Sequence, residues 1–171
     1  TVIENAAAEP DIIGFCDFLI SAGALIEGSG TSTLEVEGVK SLHSAEHAVN
    51  GDRLEAGTYI LAAAATRGEV AVEGIYPPDL LGFIESLEAS GVIIEPGENA
   101  LVAHCPKRPA GVDIVTRPYP GFPTDLQPPL MALLATAKGD SRIEESIFTG
   151  RMGHVKYLCD MGADIESEEQ E

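Results

Sequence analysis

Apolar and polar positions along the chain fall into short alternating runs and longer helical stripes, and the order in which they occur recurs. Residues 1–4, 69–73 and 141–145 alternate β-branched with polar side chains and predict strands. A helical stripe follows the first two. Ile12, Phe15, Cys16 and Leu19 recur at spacings of three and four, and Leu80, Phe83, Ile84 and Leu87 repeat the pattern. Both helices are expected to open at a Pro-Asp pair, Pro10-Asp11 and Pro78-Asp79. Gly23, Gly91 and Gly162 stand where the helices should stop, at the position after the last turn that favours a left-handed glycine. Hairpins are expected next: 24–27 turning through Gly28-Ser29-Gly30 into 33–37, and 92–95 turning through 96–99 into 100–103.

The recurrence is a repeat. The segment 9–23 aligns without gaps onto 77–91, and a diverged third copy ends at Asp160-Met161-Gly162-Ala163. A period near 70 residues exceeds solenoid periods and predicts compact supersecondary modules around a shared core. Between copies lie 53–66 and 126–137, so rich in Ala and Leu that they are expected to be buried nearly all round. The repeating unit reads β-α-β-α-β-β, an α/β (α+β) chain with sheets outside and helices within.

Candidate chemistry concentrates at Gly121-Phe122-Pro123-Thr124-Asp125-Leu126-Gln127. Pro118, Pro120 and Pro123 stiffen the approach to it. Thr124 or Asp125 is a natural N-cap for the apolar run 130–134, and taken alone Asp125 reads as that cap. His43 and His47 are four apart in a polar connection and predict no metal site. Cys16, Cys105 and Cys159 lie far apart without Cys-x-x-Cys spacing, which fits reduced thiols in a cytoplasmic compartment. Cys16 and Cys159 are expected to be buried on helices.

A formal charge of −18 with no Lys/Arg cluster argues against nucleic-acid partners. No stretch approaches eighteen apolar residues and no leader pattern opens the chain, so neither membrane nor secretion is indicated. The acidity is densest at 166–171, which reads as a frayed tail.

Several blocks together resemble the UDP-N-acetylglucosamine enolpyruvyl transferases of the EPSP-synthase-like family. Phe122-Pro123-Thr124-Asp125-Leu126-Gln127 is similar to that family's Phe-Pro-Thr-Asp-Met-Gln. The blocks at 1–7, 9–12, Gly28-Ser29-Gly30-Thr31, 52–58 and 161–165 follow in the family's order, at nearly its spacing. The resemblance implies an inverse α/β barrel of βαβαββ units, present here as an incomplete fragment. Residues 1–46 would end the third unit of a first domain, a strand at 47–49 would cross over, and 47–171 would hold the first two units of a second. The incomplete barrel would leave apolar helix faces such as 130–134 uncovered.

The implied activity moves the enolpyruvyl group of phosphoenolpyruvate to the 3-hydroxyl of UDP-N-acetylglucosamine. This step commits carbon to peptidoglycan, and so serves cell-wall biogenesis, cell shape and division. No cofactor or metal is required, and the rest of a parent enzyme would complete the cleft. By resemblance Asp125 is the catalytic base and Thr124 its neighbour at the sugar. Ile147 and Phe148 contact the acetamido group, Arg151 faces phosphoenolpyruvate, and Glu9 and Asp52 line the cleft.

Two departures stand out. The family's Phe-Glu-Asn-Arg-Phe-Met-His is replaced by Phe148-Thr149-Gly150-Arg151-Met152-Gly153-His154, whose glycines are expected to loosen the segment. Pro128-Pro129 enter the helix after Asp125. None of the three cysteines matches the family's loop cysteine. The shikimate-pathway enolpyruvyl transferase, and a non-catalytic descendant kept as a scaffold, are the alternatives.

Overall fold

The computed structural model describes residues 1–168, so the tail at 166–171 lies partly outside the described residues. The chain forms two compact units, Thr1–Gly51 and Asp52–Glu171. Among the described residues no helix is long and apolar enough to cross a membrane.

The first unit runs β1 (Val2–Glu4), α1 (Pro10–Ser21), β2 (Leu25–Glu27) and β3 (Thr33–Glu37). Its three strands pair antiparallel in the order β1-β3-β2, with Ile3 opposite Leu34 and Ile26 opposite Val36. Helix α1 opens at Pro10, whose fixed φ suits a first turn and whose missing N–H is not needed there. It closes at Gly23, φ +97°, while the amides of Ala22, Gly23 and Ala24 return to carbonyls of the last turn. Of the predicted stripe, Cys16 is buried but Phe15 is 57% exposed, and Phe18 and Ile20 are also open. The strand expected at 47–49 does not form. No strand pairs with it among the described residues, so its backbone stays exposed to water.

The second unit holds α2 (Arg53–Ala65), β4 (Glu69–Glu73), α3 (Leu81–Ala89), β5 (Ile93–Pro96), β6 (Ala100–His104), β7 (Ile114–Val115), α4 (Gln127–Leu134), β8 (Ile143–Glu144) and α5 (Val155–Asp160). Strands β4, β6 and β5 form an antiparallel sheet in that spatial order. β7 and β8 pair in parallel, Ile114 with Ile143, and such a pair needs a crossover, which α4 supplies. The succession β7-α4-β8-α5 matches the first four elements of the expected βαβαββ unit.

Ile60 and Leu61 of α2, Phe83 and Leu87 of α3, Leu101 of β6 and Leu130 and Leu133 of α4 make one core. Burying each such side chain is worth about 1.5–3 kcal/mol. The expected exposure of 130–134 is therefore corrected: Leu130 is fully buried, because α4 packs against α2 in the core of the second unit, and open apolar side chains lie on α1 instead. Helix α2 is not buried all round either; Tyr59 on its outer face is exposed. The third cysteine is a further correction. Cys159 is exposed near the end of the short α5, whereas Cys16 and Cys105 are buried.

Candidate active site

The segment 116–127 is a braced loop. Thr116 bridges Phe122, and the amide of Arg117 donates to the Phe122 carbonyl at 3.0 Å, closing the proline-rich excursion, which contains a cis Tyr119–Pro120 bond. Beyond Pro123 the chain enters a single 3-10 turn, Thr124–Leu126, before α4 begins at Gln127. Pro128 and Pro129 fall in the first turn of α4, where amide donors have no intrahelical acceptor, so they cost the helix little. Leu126 and Gln127 are buried and anchor the turn.

Asp125 does not cap this helix; neither the 3-10 turn nor α4 has a side-chain cap bond. Its carboxylate instead accepts a short hydrogen bond from Nη2 of Arg151, an ion pair between residues 26 apart in sequence. About half of the Asp125 side chain remains open to solvent, while Arg151 is more enclosed. The guanidinium lies 5.2 Å from the ring centroid of Phe148, a cation–π contact that orients its fork. The loop bearing both residues turns at Gly150, φ +72°. A glycine meets no Cβ penalty at this φ, so Gly150 suits the turn that leads into Arg151.

Glu145, at the end of β8, joins the pieces. Its Oε2 accepts from the Thr124 hydroxyl at 2.8 Å, and its Oε1 accepts from the Thr116 hydroxyl at 2.9 Å and the amides of Ile147 at 2.9 Å and Phe148 at 3.1 Å. Burial opposes the charge, but these hydrogen bonds outweigh it and hold the carboxyl below its usual range. Thr116, fully buried, also accepts from the Ser146 amide at 2.9 Å, while the Ser146 hydroxyl donates to the Thr116 carbonyl. Beneath, the Gln127 amide nitrogen reaches Met152 Sδ at 3.4 Å. Partial burial pushes the His154 imidazole, just past Arg151, below its ordinary value.

Five residues singled out from sequence thus gather in the second unit: Thr124, Asp125, Ile147, Phe148 and Arg151. Asp52 acts as the N-cap of α2, its Oδ1 accepting from the amides of Leu54 and Glu55 at 2.8 and 2.9 Å. Glu9 belongs to the first unit, at the N-terminus of α1. It makes no side-chain cap bond there, and its Oε2 is buried without a partner among the described residues. Glu145, Thr116 and Gln127 were missed. A signal for Glu145 existed, since alternation through the expected strand 141–145 puts it on the same side as Ile143, where an acid is out of place.

The whole chain, residues 1–171, matches the family model for EPSP synthase (3-phosphoshikimate 1-carboxyvinyltransferase). It is 47% identical over 165 residues to a UDP-N-acetylglucosamine 1-carboxyvinyltransferase from Thermotoga petrophila, covering 96% of this chain and 39% of the relative. A protein of the same name from Fervidobacterium nodosum is 46% identical, over 97% of this chain and 39% of its own. The chain therefore spans about two fifths of the length of these relatives. Among solved structures, the enolpyruvyl transferase NikO from Streptomyces tendae superposes with a TM-score of 0.84 at 24% identity, over 99% of this chain and 41% of that one, a likeness of fold.

Proposed function

The chain belongs to the EPSP synthase family, and from that premise we propose that it is the central part of a cytoplasmic enzyme that transfers the enolpyruvyl group of phosphoenolpyruvate to the 3-hydroxyl of UDP-N-acetylglucosamine. Its role would be the first committed step of peptidoglycan synthesis, upstream of cell shape and division. Its architecture would be part of two inverse α/β barrels, with residues 1–46 in one and 47–171 in the other, and the remaining segments would complete the cleft.

The observation that carries this reading is the meeting of Asp125 and Arg151 beside Phe148. In the proposed reaction the sugar hydroxyl loses its proton to Asp125 as its oxygen bonds to C2 of phosphoenolpyruvate. A base must lie within hydrogen-bond reach of that proton, and the 3-10 turn holds Asp125 on a rigid support with its carboxylate half open. C3 gains a proton in the addition and loses one as phosphate departs; no residue of this chain is assigned to that exchange. Arg151 offers a planar donor fork to the carboxylate or phosphate of the second substrate. Ile147 and Phe148 form the wall beside the sugar's acetamido group, and Thr124 flanks the base. Glu9 and Asp52 would line the cleft, Asp52 with its carboxylate already engaged as a cap.

The relatives' name favours the UDP-sugar over shikimate 3-phosphate. Titrating the chain with each, followed by NMR shift changes, separates the two, and silence toward both points to a scaffold. In the intact protein, Asp125→Asn should abolish turnover while leaving the fold in place. Turnover that survives the change removes Asp125 as the base.

A further inference from the structure

We infer that Glu145 is a positioning residue that holds the turn carrying Asp125 and the wall carrying Phe148 at a fixed separation, so that base and guanidinium meet. Its assay by turnover rests on the function proposed above, while its geometry does not. Four donors converge on one carboxylate from three stretches of chain: Thr116 after β7, Thr124 in the base turn, and Ile147 and Phe148 beyond β8. A carboxylate is acceptor-only, and here Oε1 takes three of the four donors and Oε2 the fourth, so both oxygens are engaged.

The attachment points matter more than their number. Thr124 directly precedes Asp125. The Phe148 amide belongs to the residue whose ring supports the Arg151 guanidinium. One side chain thus grips the neighbour of the acid with one oxygen and the support of the base's partner with the other. It touches neither reacting group, and acts through both. The Thr116–Ser146 exchange joins the stretch after β7 to the stretch after β8 a second time, so the carboxylate sits in a frame that is already closed on that side.

The test compares three variants. In Glu145→Gln the amide oxygen can keep the three donors of the Oε1 side, and the new NH₂ can donate to Thr124 Oγ1, whose proton turns away. Glu145→Asp keeps the charge but is one methylene too short to hold both sides. Glu145→Ala leaves four donors unmatched. Two readouts are taken: the side-chain Nε–H signal of Arg151 by NMR, and kcat and KM for both substrates in the intact protein.

The expected order is Gln within about threefold of wild type in kcat, with Asp and Ala lower by about 10- to 100-fold, the scale of an ångström-level misplacement. The Arg151 signal should persist in Gln and shift or broaden in Asp and Ala. Where Ala does not fold, the order of Gln and Asp decides. An Asp variant as active as wild type, with Gln impaired, assigns the effect to charge and overturns the inference. So does an unchanged Arg151 signal in a folded Asp variant. A wild type that turns over neither substrate sinks the functional reading, and the NMR comparison then decides the positioning by itself.

Discussion

Gly57, the fifth residue of α2, sets how closely that helix approaches the turn that holds the acid. A Cβ built there falls 2.4 Å from Cδ1 of Leu126, 3.0 Å from its Cδ2 and 3.3 Å from its Cγ. On an open helix Gly→Ala would stabilise by about 1 kcal/mol, because glycine surrenders more backbone freedom. Here the new methyl meets a side chain that is 1% exposed, so relief requires repacking of the core around it. Overpacking of this kind costs about 1–3 kcal/mol, and three overlaps on one residue put Gly57→Ala at the upper end. The net expectation is a loss of about 2 kcal/mol, the clash less the helix gain. Because Leu126 is bonded to Asp125, the displacement should also lower turnover in the intact protein.

Urea unfolding followed by circular dichroism measures the first effect. A double-mutant cycle isolates its cause: Leu126→Ala removes the obstacle, so the two changes together should cost less than their sum by about 1–3 kcal/mol. A Gly57→Ala chain that gains about 1 kcal/mol, or changes at the two positions that simply add, would refute the argument from close approach.

Two more expectations follow from groups already placed. The Glu145 carboxyl lies below its ordinary value of 4.5 in the fold, so its stabilisation is complete above that pH and is lost as pH falls through the folded value. Glu145→Gln should therefore be less stable than wild type at pH 7, with the gap closing as pH falls below 4.5 in urea titrations at low protein concentration; a gap that stays constant through that fall speaks against the carboxylate. Of the three thiols, Cys159 should react with Ellman's reagent in the folded chain, and Cys16 and Cys105 only on unfolding, because both are buried and burial raises the Cys105 thiol. Mass spectrometry showing Cys105 labelled first would contradict this.

Much of this arrangement was legible in the residues. Strand β4, both hairpins and the glycine stops followed from alternation and left-handed backbone, which are local properties: Gly23, Gly91 and Gly162 have φ of +97°, +90° and +100°. Resemblance assigned Asp125 and Arg151 to one cleft, but their ion pair was not legible, since no local rule links positions 26 apart. What stayed hidden depended on partners. The stripes of α1 and α3 have the same grammar, yet Phe15 is open while Phe83 is fully buried in the core that α2, α3 and α4 share within the second unit. Glu145 was overlooked for a related reason, although its alternation with Ile143 was a signal. An acid reads as surface until the four donors around it are known.

The stacking of Arg151 on Phe148 has an evolutionary corollary. The same guanidinium is shared between an aromatic neighbour and an acid, so drift at any one of these three positions alters what the other two experience. A lineage cannot change Phe148 one substitution at a time without also disturbing the cation opposite the acid. Natural variation at Asp125, Phe148 and Arg151 is accordingly expected to arrive as correlated changes.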